Sequence, residues 1–256
     1  MLTQREVDEI LDELIRILRS EYSRPIPLPR NWGRAESFRA LCNLRPPAPI
    51  SEEFLRLQDR YLWDCTQKRG IVDVDALEYR NGIALWQGDI ARLNADAVVN
   101  AGNSALLGCF QPLHNCIDNV IHSFAGVQVR LDCDNIMKGG REKNGGVRVT
   151  SAYNLPSRYI FHTVGPIVRG KVSPENRREL ASCYLSCLSM AEEMGLASVA
   201  FCCISTGVFG YPHEDAAELA LGTVRNWLAE RTRNVRVLFD VFLDRDREIY
   251  EKLLRA

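Results

Sequence analysis

The sequence predicts an α/β fold, in which a mostly parallel sheet lies between helices and a helical extension precedes it. Two observations predict this fold. Up to about residue 80, apolar residues recur at helical spacing between charged residues and proline-rich breaks. From residue 83 onward, short runs rich in β-branched and aromatic residues alternate with longer segments of helical spacing. We therefore divide the chain into an N-terminal helical extension, residues 1–80, and a main domain, residues 81–256.

Three helices are predicted in the extension. The first is indicated by apolar residues at helical spacing, namely Val7, Ile10, Leu11, Leu14 and Leu18. The second is short, lies around residues 38–42, and has prolines on both sides. The third follows Ser51, whose side chain is a suitable N-cap, and extends to about residue 64. We expect these helices to pack on the outside of the main domain.

The main domain is predicted to contain six strands and three long helices. The strands are predicted at residues 83–86, 97–100, 147–153, 159–164, 198–203 and 235–241. The helices are predicted at residues 174–194, 213–231 and 245–254. Because ligands of such folds bind beyond the carboxyl ends of the strands, the loops after Asn100 and Cys203 are where we first expect a site.

Composition and charge narrow the function classes. The chain has 256 residues, 46% of them hydrophobic and 25% charged, an ordinary globular balance. Its net charge of −1 gives no support to a nucleic acid partner, since such proteins usually carry a basic face. The first residues do not form a secretory signal and no apolar stretch is long enough to span a membrane, so we expect a cytoplasmic protein without membrane contact. Each of the nine cysteines is then a core thiol, a ligand or a reactive group.

A cluster of soft ligands lies in the segment GCFQPLHNC, residues 108–116. Cys109, His114 and Cys116 form the pattern C-x4-H-x-C, and zinc prefers thiolate and imidazole ligands. Three protein ligands would leave the fourth position open for water or substrate, as in catalytic zinc sites. His122 and Cys133 remain candidates for a fourth ligand. Two buried cysteines with an incidental histidine remain the alternative to a metal site.

Three further segments follow predicted strands and can contact a ligand. Residues 205–210, STGVFG, form a small-residue loop whose backbone N–H groups suit an anion. In the segment 88–90, GDI, Asp89 can accept a hydrogen bond from an adenine amino group. In the segment 100–104, NAGNS, asparagine side chains offer donors and acceptors to sugar hydroxyls. Taken singly, each segment also fits a simple turn or a helix N-cap.

Together these segments resemble the macrodomain family. That family combines a strand followed by GDI, a strand ending in VNAxN and a late STGxFG loop, and HTVGP at residues 162–166 matches its core strand. The cysteine-rich loop and the N-terminal helices resemble its zinc-containing branch in particular. The resemblance implies a macrodomain-type mixed sheet sandwiched between helices. It also implies a zinc-dependent hydrolase that removes mono-ADP-ribose from modified protein side chains, with ADP-ribose and a mono-ADP-ribosylated protein as its partners.

The resemblance also implies roles for individual residues. Adenine would be held by Asp89 and Ile90. The diphosphate and the distal ribose would be wrapped by Ser205, Thr206, Gly207, Val208 and Phe209. Zinc would be held beside that ribose by Cys109, His114 and Cys116, and the ligand would be lined by Cys116, Ile117 and Asp118. Asn103 would orient the ribose and Asp118 would handle a proton or hold the attacking water, so these two are the catalytic candidates.

Two positions depart from the family pattern. Gly102 stands where many macrodomains have alanine, and Gly139-Gly140 stands where this branch is expected to have Gln-Gly. The first is expected to loosen the backbone before Asn103, and the second to alter a loop near the site.

Other functions remain open at this point. A module that binds ADP-ribose without cleaving it would have the same fold. A zinc-stabilised nucleotide- or RNA-binding domain is a second alternative. For the hydrolase, zinc would either position a ribose oxygen or activate a water.

Overall fold

The computed structural model describes residues 1–230 and 235–255. In these residues a six-stranded sheet is flanked by helices, and three further helices precede it. The strands are β1 (Ile83–Gln87), β2 (Ala97–Ala101), β3 (Val147–Ser151), β4 (Tyr159–Thr163), β5 (Ser198–Phe201) and β6 (Arg236–Val241). The helices are α1 (Gln4–Ser20), α2 (Arg34–Leu44), α3 (Glu52–Arg69), α4 (Ile117–Ala125), α5 (Val127–Met137), α6 (Pro174–Glu193), α7 (His213–Ala229) and α8 (Asp244–Arg255).

The sheet has the strand order β1-β6-β5-β2-β4-β3. Neighbouring strands run parallel, except that β3 pairs antiparallel with β4. The predicted mixed sheet between helices is therefore confirmed. Strands β2 and β5 lie in the middle of the sheet and are buried along almost their whole length. This burial on both faces explains why their sequences are continuous apolar runs rather than alternating ones.

The predicted elements differ from the structure mainly at their ends. Strands β3 and β5 each stop before the predicted residues 153 and 203, because the chain turns there, with Tyr153 in the left-handed region. The helix predicted at 213–231 ends at Ala229, and residue 231 lies outside the described residues. Helix α5 was not predicted, because its buried side places Arg130 beside apolar residues and so weakens the helical pattern.

The N-terminal helices form a hydrophobic cluster of their own, in which Leu14, Leu18 and Phe54 are fully buried. Ser51 caps α3 as predicted, since its Oγ accepts the N–H of Phe54 at 3.2 Å. Helices α2 and α3 contact α4, so the extension packs outside the sheet. The boundary at residue 80 stays a prediction. Of the helices described, none combines the length and apolar character that crossing a membrane requires.

Candidate functional site

The segments singled out in the sequence lie at one edge of the sheet. Strands β1, β2 and β5 run in the same direction, and residues 88–90, 102–116 and 203–210 directly follow them. Parallel strands present their carboxyl ends at one edge, so these segments meet at that edge, and we call the surface between them the groove. The chain after β4 closes this edge, where the N–H of Val168 donates to the carbonyl of Phe209 at 2.7 Å.

The loop of residues 108–116, which we call the metal loop, brings its three candidate ligands together. The ligand atoms of Cys109, His114 and Cys116 lie within 4.8 Å of one another, and Cys109 Sγ is 3.5 Å from His114 Nδ1. Cys116 is also the N-cap of α4, since its Sγ accepts the N–H of Asn119 at 3.4 Å. Burial raises the pKa of the Cys116 thiol to about 12, against the effect of that hydrogen bond. The half-buried Ile117 begins α4 beside it.

The two candidates for a fourth ligand do not reach the metal loop. His122 and Cys133 are buried and form a separate group with His162. Asn100 Nδ2 donates to His162 Nδ1 at 3.2 Å, so His162 Nε2 carries the ring proton and donates to Thr150 Oγ1 at 2.9 Å. Burial lowers the pKa of His162 to about 3, so its ring is neutral. Both ring nitrogens of His162 are therefore engaged in hydrogen bonds within the core, whereas neither ring nitrogen of His122 has a hydrogen-bond partner among the described residues.

The catalytic candidates Asn103 and Asp118 are in contact. Asp118 is 5% exposed, in the first turn of α4. Its Oδ1 accepts from Asn100 Nδ2 at 2.8 Å and its Oδ2 from Asn103 Nδ2 at 3.3 Å. Asn103 Nδ2 also donates to the carbonyl of Gly108, at the start of the metal loop, at 3.0 Å. Burial raises the pKa of Asp118 to about 6, against the hydrogen bond from Asn100. A buried carboxyl therefore lies directly behind the metal loop.

The adenine candidate Asp89 is held by a residue that sequence reasoning missed. Its Oδ1 caps a short turn by accepting the N–H of Ala91 at 3.0 Å, and its Oδ2 accepts from Arg69 Nη1 at 2.6 Å. Arg69 comes from the last turn of α3, where it lies 3.6 Å from the ring centroid of Phe124. Ile90 is 1% exposed and belongs to the hydrophobic core behind Asp89. In the sequence, Arg69 is only a basic residue near the end of a predicted helical segment, and nothing there indicates that it pairs with Asp89.

Ser205 and Thr206 direct their side chains into the protein. Ser205 has a φ of +67°, and its buried hydroxyl has no hydrogen-bond partner among the described residues. It lies so close to Gly165 that a Cβ there would collide with its Oγ. The Oγ1 of Thr206 donates to the carbonyl of Cys203 at 3.0 Å, and its N–H points to the same oxygen at 3.4 Å. These two residues thus anchor the loop.

The exposed part of the same loop is Gly207 and Val208, and the half-buried Phe209 follows them. A Cβ on Gly207 would meet no atom within 4 Å, and Val208 is 80% exposed. Within the described part of the chain, the backbone N–H groups of these three residues have no hydrogen-bond partner. Consecutive free N–H groups next to a left-handed residue form a concave anion site.

Of the two departures from the family pattern, the first is packed against residues of this site and the second begins a loop bonded to it. A Cβ on Gly102 would be no closer than 3.5 Å to Asn100 and Asp118, an ordinary contact, so the alanine of other macrodomains would fit. Gly139-Gly140 follow α5, and the loop that they begin is tied to the site where the N–H of Glu142 donates to the carbonyl of Ser104 at 2.7 Å.

The chain is similar to proteins of a known family. The family model described as Macro domain matches residues 99–220. A Staphylococcus aureus (strain MSSA476) protein named protein-ADP-ribose hydrolase is 49% identical over 222 residues, 85% of this chain and 83% of that protein. A Treponema medium protein of the same name is 46% identical over 223 residues, 84% of this chain and 85% of that protein. The crystal structure of the Trypanosoma brucei macrodomain in complex with ADP-ribose matches with a TM-score of 0.66 at 30% identity, over 84% of this chain and 94% of that one. The chain therefore belongs to the macro domain family.

Proposed function

We propose that this chain is a zinc-dependent protein mono-ADP-ribosyl hydrolase. Water attacks the anomeric carbon of the distal ribose, the glycosidic bond to the protein side chain breaks, and ADP-ribose and the unmodified side chain leave. Two relatives that are 46% and 49% identical are named protein-ADP-ribose hydrolase, which supports this activity. The observation that carries the proposal is that two thiols and an imidazole converge directly in front of a buried carboxyl.

The zinc would be held by Cys109, His114 and Cys116. The ligand atoms fit a single ion because they all lie within 4.8 Å of one another, and the cysteines are free thiols. Among the described residues, three supply the ligand atoms of this group. A four-coordinate zinc ion would therefore keep one position for a ligand oxygen or a water. When bound, zinc would act as a Lewis acid toward a ribose oxygen or lower the pKa of a water toward about 7.

The rest of the site would bind ADP-ribose from end to end. The free N–H groups of residues 207–209 suit the diphosphate, and Asp89 would accept from the adenine amino group. Asn103 would orient the distal ribose, and Asp118 would hold the attacking water or transfer its proton. Contacts at several points would orient the ribose before the reaction begins, which lowers the entropic part of the activation barrier.

The proposal is tested by release of ADP-ribose from defined aspartyl, glutamyl, seryl and arginyl conjugates, with and without a zinc chelator. We expect release from at least one linkage, and loss of that release with the chelator. A protein that binds free ADP-ribose yet releases none from any conjugate is a binding module, and the proposed activity is then wrong. Release that is unaffected by the chelator would support the hydrolase activity but contradict the zinc dependence.

Asp89→Ala is expected to weaken ADP-ribose binding roughly 10- to 100-fold, about 1–3 kcal/mol, because the half-buried carboxylate that would accept from the adenine amino group is lost. Asp73→Ala is the matched control, since Asp73 also caps a short turn, accepting the N–H of Asp75 at 3.1 Å, but lies outside the groove. Isothermal titration calorimetry compares both variants with the wild type. Unchanged affinity in Asp89→Ala, or an equal loss in the control, would show that Asp89 does not hold the adenine.

Asp118→Asn is expected to slow single-turnover hydrolysis roughly 10²- to 10⁴-fold, because the side chain keeps its shape but no longer exchanges a proton. Asn103→Ala is expected to slow it less and to weaken ADP-ribose binding as well, since the amide would orient the ribose but transfers no proton. Asp64→Asn, at a carboxyl that is 6% exposed in α3, controls for removing any buried charge. If Asp118→Asn and Asn103→Ala both cleave at the wild-type rate, the assigned roles are wrong and the binding-module alternative gains.

A further inference from the structure

Helix α2 of the N-terminal extension contacts the metal loop directly. Arg39 Nη2 donates to the carbonyl of His114 at 3.0 Å and to Asn119 Oδ1 at 2.9 Å, and Arg39 Nε donates to Ser123 Oγ at 3.2 Å. A guanidinium is planar, so it makes these bonds at once and in fixed directions. Arg39 therefore joins α2 both to the backbone of a candidate ligand and to α4.

Asn43, one turn further along α2, holds the neighbouring peptide. Its Oδ1 accepts the N–H of Leu113 at 3.0 Å, and its Nδ2 donates to Ser123 Oγ at 3.0 Å. Leu113 has a φ of +56°, a left-handed conformation that a branched residue keeps only where its surroundings fix it. Asn43 is 2% exposed, so water does not compete for this bond. The turn that directs His114 is thus fixed from outside the loop.

Asn119 extends the same network to the two cysteines. Its Nδ2 donates to the carbonyls of Cys109 and Gln111, at 3.3 Å and 2.9 Å, and its N–H donates to Cys116 Sγ at 3.4 Å. Its Oδ1 accepts from Arg39, which therefore sets the orientation of this amide. Each of the three candidate ligands is bonded either to Arg39 or to Asn119.

We propose that α2 is a positioning element for the metal loop, in which Arg39 and Asn43 hold the backbone so that the two thiols and the imidazole converge before the metal binds. This inference rests on the zinc site of the proposed function. The metal loop contains no helix or strand, so without α2 the metal itself would have to order it. The role of the N-terminal helices would then be to make the site ready for the ion.

The test compares Arg39→Gln and Asn43→Ala with Arg34→Gln in the full-length protein. Arg34 lies on the same helix but pairs with Asp12 at 2.7 Å, within the extension. Zinc affinity is measured by competition with a chromophoric chelator, and site geometry by the d–d absorption of bound Co²⁺. Alkylation of the thiols of Cys109 and Cys116 is timed in the metal-free protein, and thermal unfolding reports the fold.

We expect Arg39→Gln and Asn43→Ala to weaken zinc binding roughly 10- to 100-fold, as changes to residues that support metal ligands typically do. Their Co²⁺ spectra should change and their loop thiols should react faster, whereas Arg34→Gln should match the wild type in all three measurements. Wild-type zinc affinity and Co²⁺ spectra in both test variants would overturn the inference, even if their unfolding temperatures fall. A loss of zinc affinity in the two test variants that is no larger than the loss in Arg34→Gln would overturn it as well. A wild-type protein that binds no zinc would refute the proposed zinc site and the positioning role with it. The zinc titration of the wild type therefore distinguishes failure of the zinc site from failure of the positioning role alone.

Discussion

Gly207→Val is expected to abolish measurable ADP-ribose binding in a chain that still folds. The φ of Gly207 lies outside the left-handed region and a Cβ there would meet no protein atom within 4 Å, so a branched side chain has room in the free protein. That open space lies over the free N–H groups of residues 207–209, where the diphosphate is proposed to sit. The valine methyl groups would occupy it, and we expect a loss of at least ~100-fold in affinity, about 2.7 kcal/mol.

The matched control for this prediction is Gly222→Val. Gly222 is exposed on α7 and likewise has nothing near its Cβ, but it lies away from the groove. Calorimetry with ADP-ribose and thermal unfolding are measured for both variants. If Gly207→Val binds within about three-fold of the wild type, a change under about 0.7 kcal/mol, the phosphate assignment of this loop is wrong. If it fails to fold while Gly222→Val folds, the loop has a structural role instead.

Cys109→Ser is expected to remove both the bound metal and the hydrolysis. Cys109 is the cleaner of the two thiols to replace, because Cys116 is also the cap of α4. Serine is a poor zinc ligand, so two ligands would remain and the content measured by elemental analysis should fall from one zinc per chain to almost none. Single-turnover hydrolysis should fall at least ~100-fold, since a Lewis acid contributes several kcal/mol to the transition state.

Cys65→Ser serves as the control, since Cys65 is a half-buried thiol in α3 that belongs to neither group of candidate metal ligands among the described residues. We expect it to keep its zinc and its rate. Free ADP-ribose should still bind to Cys109→Ser, because the diphosphate loop and Asp89 are untouched. Cleavage by Cys109→Ser at the wild-type rate would show that the metal loop has no part in the reaction, whatever its zinc content.

The sheet and the segments that border the groove could be predicted because their signals are local. The apolar residues of β2 and β5 contrast with the loops that follow them. A strand followed by a loop of small residues can therefore be predicted from a short window of about ten residues. Parallel strands then bring such loops to one edge without any knowledge of side-chain packing. The three candidate ligands were found for the same reason, since they lie close together in the chain.

The partners of the site residues could not be predicted, because they lie far away in the chain. Arg69 reaches Asp89, and Arg39 reaches the carbonyl of His114, from helices that look like ordinary amphipathic helices in the sequence. His122 could be either a fourth ligand or part of the core, and only the packing of α4 against the sheet decides this. Likewise, a sequence does not show that the Thr206 hydroxyl turns back to the carbonyl of Cys203 in its own loop.

The bond between Arg69 and Asp89 has a consequence for how this protein can be recombined with others. A fragment that begins at β1 contains every strand of the sheet but leaves Asp89 without its guanidinium and exposes the ring of Phe124. A fragment that begins at α2 restores the guanidinium but uncovers the apolar faces that α1 protects. A fragment of this chain that keeps both the bond between Arg69 and Asp89 and the cover over these apolar faces therefore begins at α1.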